Sequence, residues 1–259
     1  MPVILYFHGL PGGPEELAAL PNVDGRAEIV AVDRLDIGLG LDSHAEMLNA
    51  VAQDILLTYP NRKLRLIGFS LGSVVALQLA GILKKQTLSI DLISVAAPLE
   101  LGNFLPDMAG KPVFTAAAGG GWKFGALSQI QAIFAPRLPQ VFFNMLFASA
   151  KPADKGLAED PAFRAGLKNS YSWCLSKHLT GYKREVRAYV QPWADVLDDV
   201  NAPVTMWHGV EDNWSPIQMA YAVQERLGER AQLTEMAGLS HYSTLAEALP
   251  KIVDGYRAR

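Results

Sequence analysis

A single cysteine, Cys174, stands among 259 residues, so no intrachain disulfide can form. The expected surroundings are reducing and the expected place cytoplasmic, with Cys174 a small buried apolar residue. No block of like charge is present either. With 23 basic and 26 acidic residues the net charge is −3, which disfavours a polyanionic partner such as nucleic acid. No apolar run is long and clean enough to span a bilayer: the strongest, 133–150, is broken by Pro136, Arg137, Pro139 and Asn144. The N-terminal segment shows no basic leader or cleavage-site pattern, so no signal peptide is expected. Repeats and low-complexity segments are missing. No Cys/His cluster has zinc spacing, and neither phosphate-loop pattern occurs, so no metal or nucleotide site is expected.

What is there is globular. Half the residues are hydrophobic and 19% are charged, and the length suits one large α/β domain with an insert. Short apolar runs at 3–7, 27–32, 64–68, 88–96, 204–208 and 232–236 read as strands. Amphipathic or apolar stretches near 15–19, 43–58, 71–84, 192–198, 216–227 and 243–256 read as helices. This alternation argues for parallel βαβ units. Between 102 and 189 the rhythm lapses into helical patterns rich in Phe, Ala and Leu. The expected layout is a core of 1–101 and 190–259, interrupted by a helical insertion of 102–189.

The chemistry concentrates at strand ends. Gly68-Phe69-Ser70-Leu71-Gly72 fits G-x-S-x-G and lies between a predicted strand and a predicted helix, the context this motif requires. A sharp strand-to-helix turn strains its central residue and needs small neighbours two positions away. A serine hydroxyl is a poor nucleophile until a base takes its proton. Of His8, His44, His178, His208 and His241, the last alone follows the final strand and precedes the terminal helix. It opens at the carboxyl edge, as Ser70 does. His8 and His208 read as held by backbone hydrogen bonds, His44 as a surface residue, and His178 as part of the insert. The base needs a carboxylate to fix its tautomer, and Asp212, after the strand at 204–208, fits best. Glu211 and Glu100 are its rivals, and capping of the next helix is its plain alternative. Backbone N–H groups of Leu71 and Leu10, the latter in the glycine-rich run His8-Gly9-Leu10-Pro11-Gly12-Gly13, are the expected oxyanion donors.

Taken together, these residues resemble the α/β-hydrolase superfamily, in the branch with H-G-x-P-G, an Asp-Arg turn, G-x-S-x-G and H-G-x-x-D in that order. Here those are His8 to Gly12, Asp33-Arg34, Gly68 to Gly72 and His208 to Asp212. The resemblance covers about 1–100 and 190–259. It implies a mostly parallel central sheet flanked by helices, with the insertion as a cap. The chain starts at what looks like the third family strand, so a smaller sheet is expected. Leu35-Asp36-Ile37-Gly38 stands where Pro-Gly is common, so that loop is expected to differ.

A serine nucleophile disfavours the dehalogenases and epoxide hydrolases of this fold, which use aspartate. The expected activity is a carboxylesterase-like serine hydrolase acting through an acyl-enzyme on a small-molecule substrate, without a cofactor. Phe134, Phe142, Phe143, Met145, Leu146, Phe147, Phe163 and Trp173 form either the insert's own core or the wall of an apolar site. One alternative is an aminopeptidase like the proline iminopeptidases, with Asp154, Glu159 or Asp160 holding a free amine. An acyltransferase and a non-catalytic ligand-binding homologue are the others.

Overall fold

A computed structural model describes residues 2–20 and 29–257. Six strands form one sheet: β1 (Val3–Phe7), β2 (Ile29–Ala31), β3 (Leu64–Phe69), β4 (Thr87–Ile93), β5 (Val204–Gly209) and β6 (Ala231–Met236). Their spatial order is β2-β1-β3-β4-β5-β6 and every pairing is parallel. The first two residues of the expected second strand lie outside the described residues. Parallel strands covered on both faces must be apolar throughout, and all five residues of β1 are buried. Alternation then sorts the side chains. Leu5, Phe7, Leu66, Leu92 and Met206 enter one core layer, while Ile4, Tyr6, Ile67, Phe69 and Ile93 enter the other.

The helices are α1 (Arg34–Ile37), α2 (His44–Thr58), α3 (Leu71–Ile82), α4 (Lys111–Ala118), α5 (Trp122–Arg137), α6 (Pro139–Phe147), α7 (Pro152–Leu157), α8 (Pro161–Lys177), α9 (Leu179–Tyr189), α10 (Ile217–Leu227) and α11 (His241–Arg257). Ser43 caps α2, accepting from the Glu46 amide. α3 is apolar nearly all round and packs under the sheet. Six helices, α4 to α9, fall between β4 and β5. A buried ion pair ties them to α1: the Nε of Arg34 donates to both Glu185 oxygens at 3.2 and 3.0 Å.

Several elements differ from expectation. β4 stops at Ile93 because Ser94 takes φ 49°, which no strand accommodates. Residues 14–19 and 194–199 form 3-10 turns rather than α-helix. The second of these starts where Glu100 Oε1 accepts from the amides of Trp193 and Ala194, which also removes Glu100 as a partner for His241. The last helix begins at His241, two residues earlier than its sequence pattern suggests.

Candidate active site

The chain turns from β3 into α3 at Ser70, whose backbone sits at φ 54°, ψ −127°. A non-glycine residue there is strained, and it persists only where its surroundings over-determine it. They do so here. The Ser70 amide donates to Ile93 O (3.0 Å), and Ser70 O accepts from the Ser73 amide (2.9 Å) and the Ser73 hydroxyl (2.5 Å). The flanking glycines have steric reasons. A Cβ on Gly72 would lie 2.1 Å from the Phe7 carbonyl oxygen, and one on Gly68 would lie 2.6 Å from the Ser73 Cα. The Ser70 hydroxyl does not cap α3. The first amide of that helix, Leu71 N–H, has no intrahelical partner by construction.

His241 follows β6, and its Nδ1–H donates to Asp212 Oδ2 at 2.8 Å. That bond fixes the tautomer and leaves the Nε2 lone pair free to accept a proton. The imidazole packs on Phe69, the residue before Ser70, with ring centroids 4.8 Å apart. It also stacks on Trp214 at 5.5 Å. Asp212 is buried and locked in place, because its Oδ1 accepts from the amides of Trp214 (2.8 Å) and Ser215 (2.9 Å). Burial alone would raise its carboxyl. The charge and hydrogen bond of His241, with His208 and the Ser215 amide, outweigh burial and hold it below the usual carboxylate range. Burial lowers the His208 pKa against the opposing pull of Asp212, and its Nε2–H donates to Ser215 O at 2.8 Å.

A carboxylate from the inserted helices supports the start of α11. Ser240 directly precedes that helix, yet its hydroxyl is buried without a partner. Asp154 of α7 does the capping instead. Its Oδ2 accepts from the Tyr242 amide (3.2 Å), and its Oδ1 from the amide (2.8 Å) and hydroxyl (2.6 Å) of Ser243. Ser94 adds a second anchor, since its hydroxyl donates to His241 O at 3.1 Å. Asp154→Ala leaves two helix amides unpaired in the interior. It is expected to lower unfolding free energy by roughly 2–4 kcal/mol, with Asp154→Asn losing less; urea denaturation of the two variants checks this.

The loop after β1 is held from below. Glu16 Oε1 accepts from the Tyr6 hydroxyl (2.5 Å) and the Gly9 amide (3.2 Å). Burial raises the Glu16 carboxyl to about 7, against opposing hydrogen bonds from Tyr6 and Gly9 and the charges of Arg34 and His241. His8 Nδ1–H donates to Gly9 O (2.8 Å), and burial holds this ring well below the usual imidazole range. Leu10 and Pro11 of this loop join Ser70, Leu71, Trp214 and Ser215 in lining a cavity of about 280 Å³. Its other wall comes from α4, α5, α6 and α9, through Phe114, Leu127, Met145, Leu146 and Val186 among others. Among the described residues no aspartate, glutamate, lysine or arginine lines it.

The structure therefore brings Ser70, Leu71 and Leu10 to one cavity wall, and joins His241 to Asp212, with the imidazole stacked on Trp214 of the cavity lining. Glu211 is exposed and takes no part in that pairing. His44 is half-buried rather than on the surface, with its Nε2 2.8 Å from Gln78 Oε1. Burial pushes the Cys174 thiol up to about 12, as suits an inert buried residue. Among the aromatic candidates, Phe142, Phe143, Phe147 and Phe163 are core, Phe134 is exposed, and only Met145 and Leu146 of the group reach the cavity. Asp154, Ser94 and Glu16 were missed as supports. The sole sequence signal was for Glu16, two residues past Pro14 in the first turn after the glycine-rich loop.

The sequence matches the profile of the alpha/beta hydrolase family over residues 4–253. No curated protein sequence matches it. Among solved structures, an alpha/beta hydrolase enzyme from a Medee basin deep-sea metagenome library superposes with a TM-score of 0.68 at 12% identity, covering 100% of this chain and 90% of that one. A bromoperoxidase from Bacillus anthracis gives 0.66 at 14% identity, covering 100% and 92%. An esterase from Exiguobacterium antarcticum gives 0.65 at 17% identity, covering 98% and 92%. At such identities the likeness is one of fold. With the family profile spanning nearly the whole sequence, the chain belongs to the alpha/beta hydrolase family.

Proposed function

We propose that the protein is a serine hydrolase that cleaves an ester-type bond in a neutral, largely apolar substrate of small or medium size. The observation that carries this reading is the 2.8 Å bond from His241 to Asp212, set behind the strained turn that presents Ser70 to the cavity. His241 Nε2 takes the Ser70 proton as Oγ attacks the substrate carbonyl. The amides of Leu71 and Leu10 receive the oxyanion. When the tetrahedral adduct collapses, the imidazolium returns the proton to the leaving alkoxide. Water then attacks the acyl-serine, again deprotonated by His241, and releases the acid.

In this reading 102–189 acts as a cap, since helices from that segment supply most of the cavity's outer wall. The uncharged lining supports a neutral substrate. It also disfavours the aminopeptidase alternative. Asp154 is committed to α11, Asp160 caps α8 through the amides of Ala162 and Phe163, and Glu159 is absent from the lining. A buried, unreactive cysteine accords with a cytoplasmic setting. Assays with p-nitrophenyl acyl esters and with proline arylamides test the assignment. Saturable turnover of the esters and none of the arylamides is expected; the reverse result would overturn it.

A further inference from the structure

Helix α5 is inside out. Its buried stripe is Phe124, Ser128, Gln131 and Ala135, spaced i, i+4, i+7 and i+11, and two of these four are polar. The opposite face carries Trp122 (76% exposed), Ile130 (54%) and Ile133 (51%). The patch continues through Leu138 to Val141 and Met145 of α6, which are 53% and 57% exposed. Of fourteen exposed large apolar side chains among the described residues, seven fall between Trp122 and Met145, on two helices that pack against each other and the turn between them.

The segment that carries the patch has charge of one sign. No aspartate or glutamate occurs between Asp107 and Asp154, while Lys111, Lys123, Arg137 and Lys151 do, and all four are exposed. Eleven of the chain's 23 lysines and arginines, but only five of its 26 acidic residues, lie within 102–189. A net acidic protein thus presents a basic, apolar face. That face is continuous with the cavity, because Met145 belongs to both. A second, open concavity lined by Lys111, Trp122 and Lys123 adjoins it and shares Pro112 with it.

We propose that the outer face of α5 and α6 seats on an anionic lipid surface, with Trp122, Ile130 and Ile133 in the headgroup layer and Lys123 and Arg137 against the lipid phosphates. Apolar side chains entering the acyl boundary, ringed by cations that meet phosphate, are the combination such a surface selects. A seated molecule turns the cavity wall at Met145 toward the bilayer, the side from which an apolar ester would reach Ser70. Only this last step rests on the hydrolase reading; the docking does not.

The test uses the full chain and two sets of sedimenting vesicles, one of phosphatidylglycerol and phosphatidylcholine in equal parts, the other of phosphatidylcholine alone. Wild type is expected to sediment with the anionic vesicles, to release as salt rises from about 0.1 to about 0.5 M, and to bind the neutral ones more weakly. The pairs Ile130→Ser with Ile133→Ser, and Lys123→Glu with Arg137→Glu, should each lower the partition coefficient about tenfold. Both pairs should hydrolyse dissolved p-nitrophenyl acetate at the wild-type rate, since none of the four lines the catalytic cavity. Wild type left in the supernatant with both vesicles, or binding unchanged in the variants, overturns the proposal. So does a wild-type dimer that the Ile130→Ser, Ile133→Ser pair dissociates, because the face would then belong to a second copy. Wild type that binds vesicles yet leaves p-nitrophenyl acetate intact sinks the hydrolase reading and spares the docking.

Discussion

Ser70→Ala is expected to lower kcat for a p-nitrophenyl ester by roughly 10⁶-fold, with KM little changed and the folded state kept. Removing one oxygen deletes the nucleophile without touching the contacts that shape the cavity. The strained turn is held by backbone groups of Ser70, which alanine retains: its amide on Ile93 O, and its carbonyl under the Ser73 hydroxyl. Alanine at φ 54° is no more strained than serine. Residual turnover should come from the Leu71 and Leu10 amides and from binding alone. Circular dichroism and steady-state kinetics on the same preparation separate lost chemistry from lost fold.

Asp212→Asn is the second large effect, expected to lower kcat about 10⁴-fold. The argument rests on which oxygen does what. Oδ1 holds the loop through the amides of Trp214 and Ser215, and asparagine keeps that oxygen. Oδ2 accepts from His241 Nδ1–H, and asparagine puts an NH₂ there. Two donors cannot face each other, so the imidazole moves its proton to Nε2, the atom that must be free to accept from Ser70. The protein should therefore fold normally and fail as a base catalyst. Kinetics paired with NMR of the His241 ring nitrogens check both halves: the rate falls and the proton moves from Nδ1 to Nε2. A variant within tenfold of wild type would mean that Asp212 merely caps the loop into α10.

Much of this was readable in the sequence because the chemistry dictates residue type where the topology dictates place. In an all-parallel sheet every strand's carboxyl end faces one edge, so Ser70 after β3, Asp212 after β5 and His241 after β6 all open at that edge. Gly68 and Gly72 were legible for a similar reason, since backbone approaches of under 3 Å leave no alternative residue. What could not be read depends on packing between distant segments. Nothing local links Asp154 to Tyr242 and Ser243, because a carboxylate in a short helix looks the same whether it caps itself or another helix 88 residues on. Ser94 reads as strand from its β-branched and apolar neighbours; its positive φ and the tertiary bond of its hydroxyl to His241 O leave no local trace. Helix α5 defeats pattern reading from the other direction, with Ser128 and Gln131 inside and isoleucines outside. Glu16 shows the same limit. Its burial beneath the loop after β1 depends on Tyr6 reaching it from the sheet.

The most direct test is covalent labelling of the native protein with a fluorophosphonate, followed by peptide mass spectrometry. A single phosphonyl adduct on Ser70, formed by wild type and lost in His241→Ala, is the predicted result. No adduct, or one on another residue, would contradict the assignment of Ser70 as a nucleophile activated by His241.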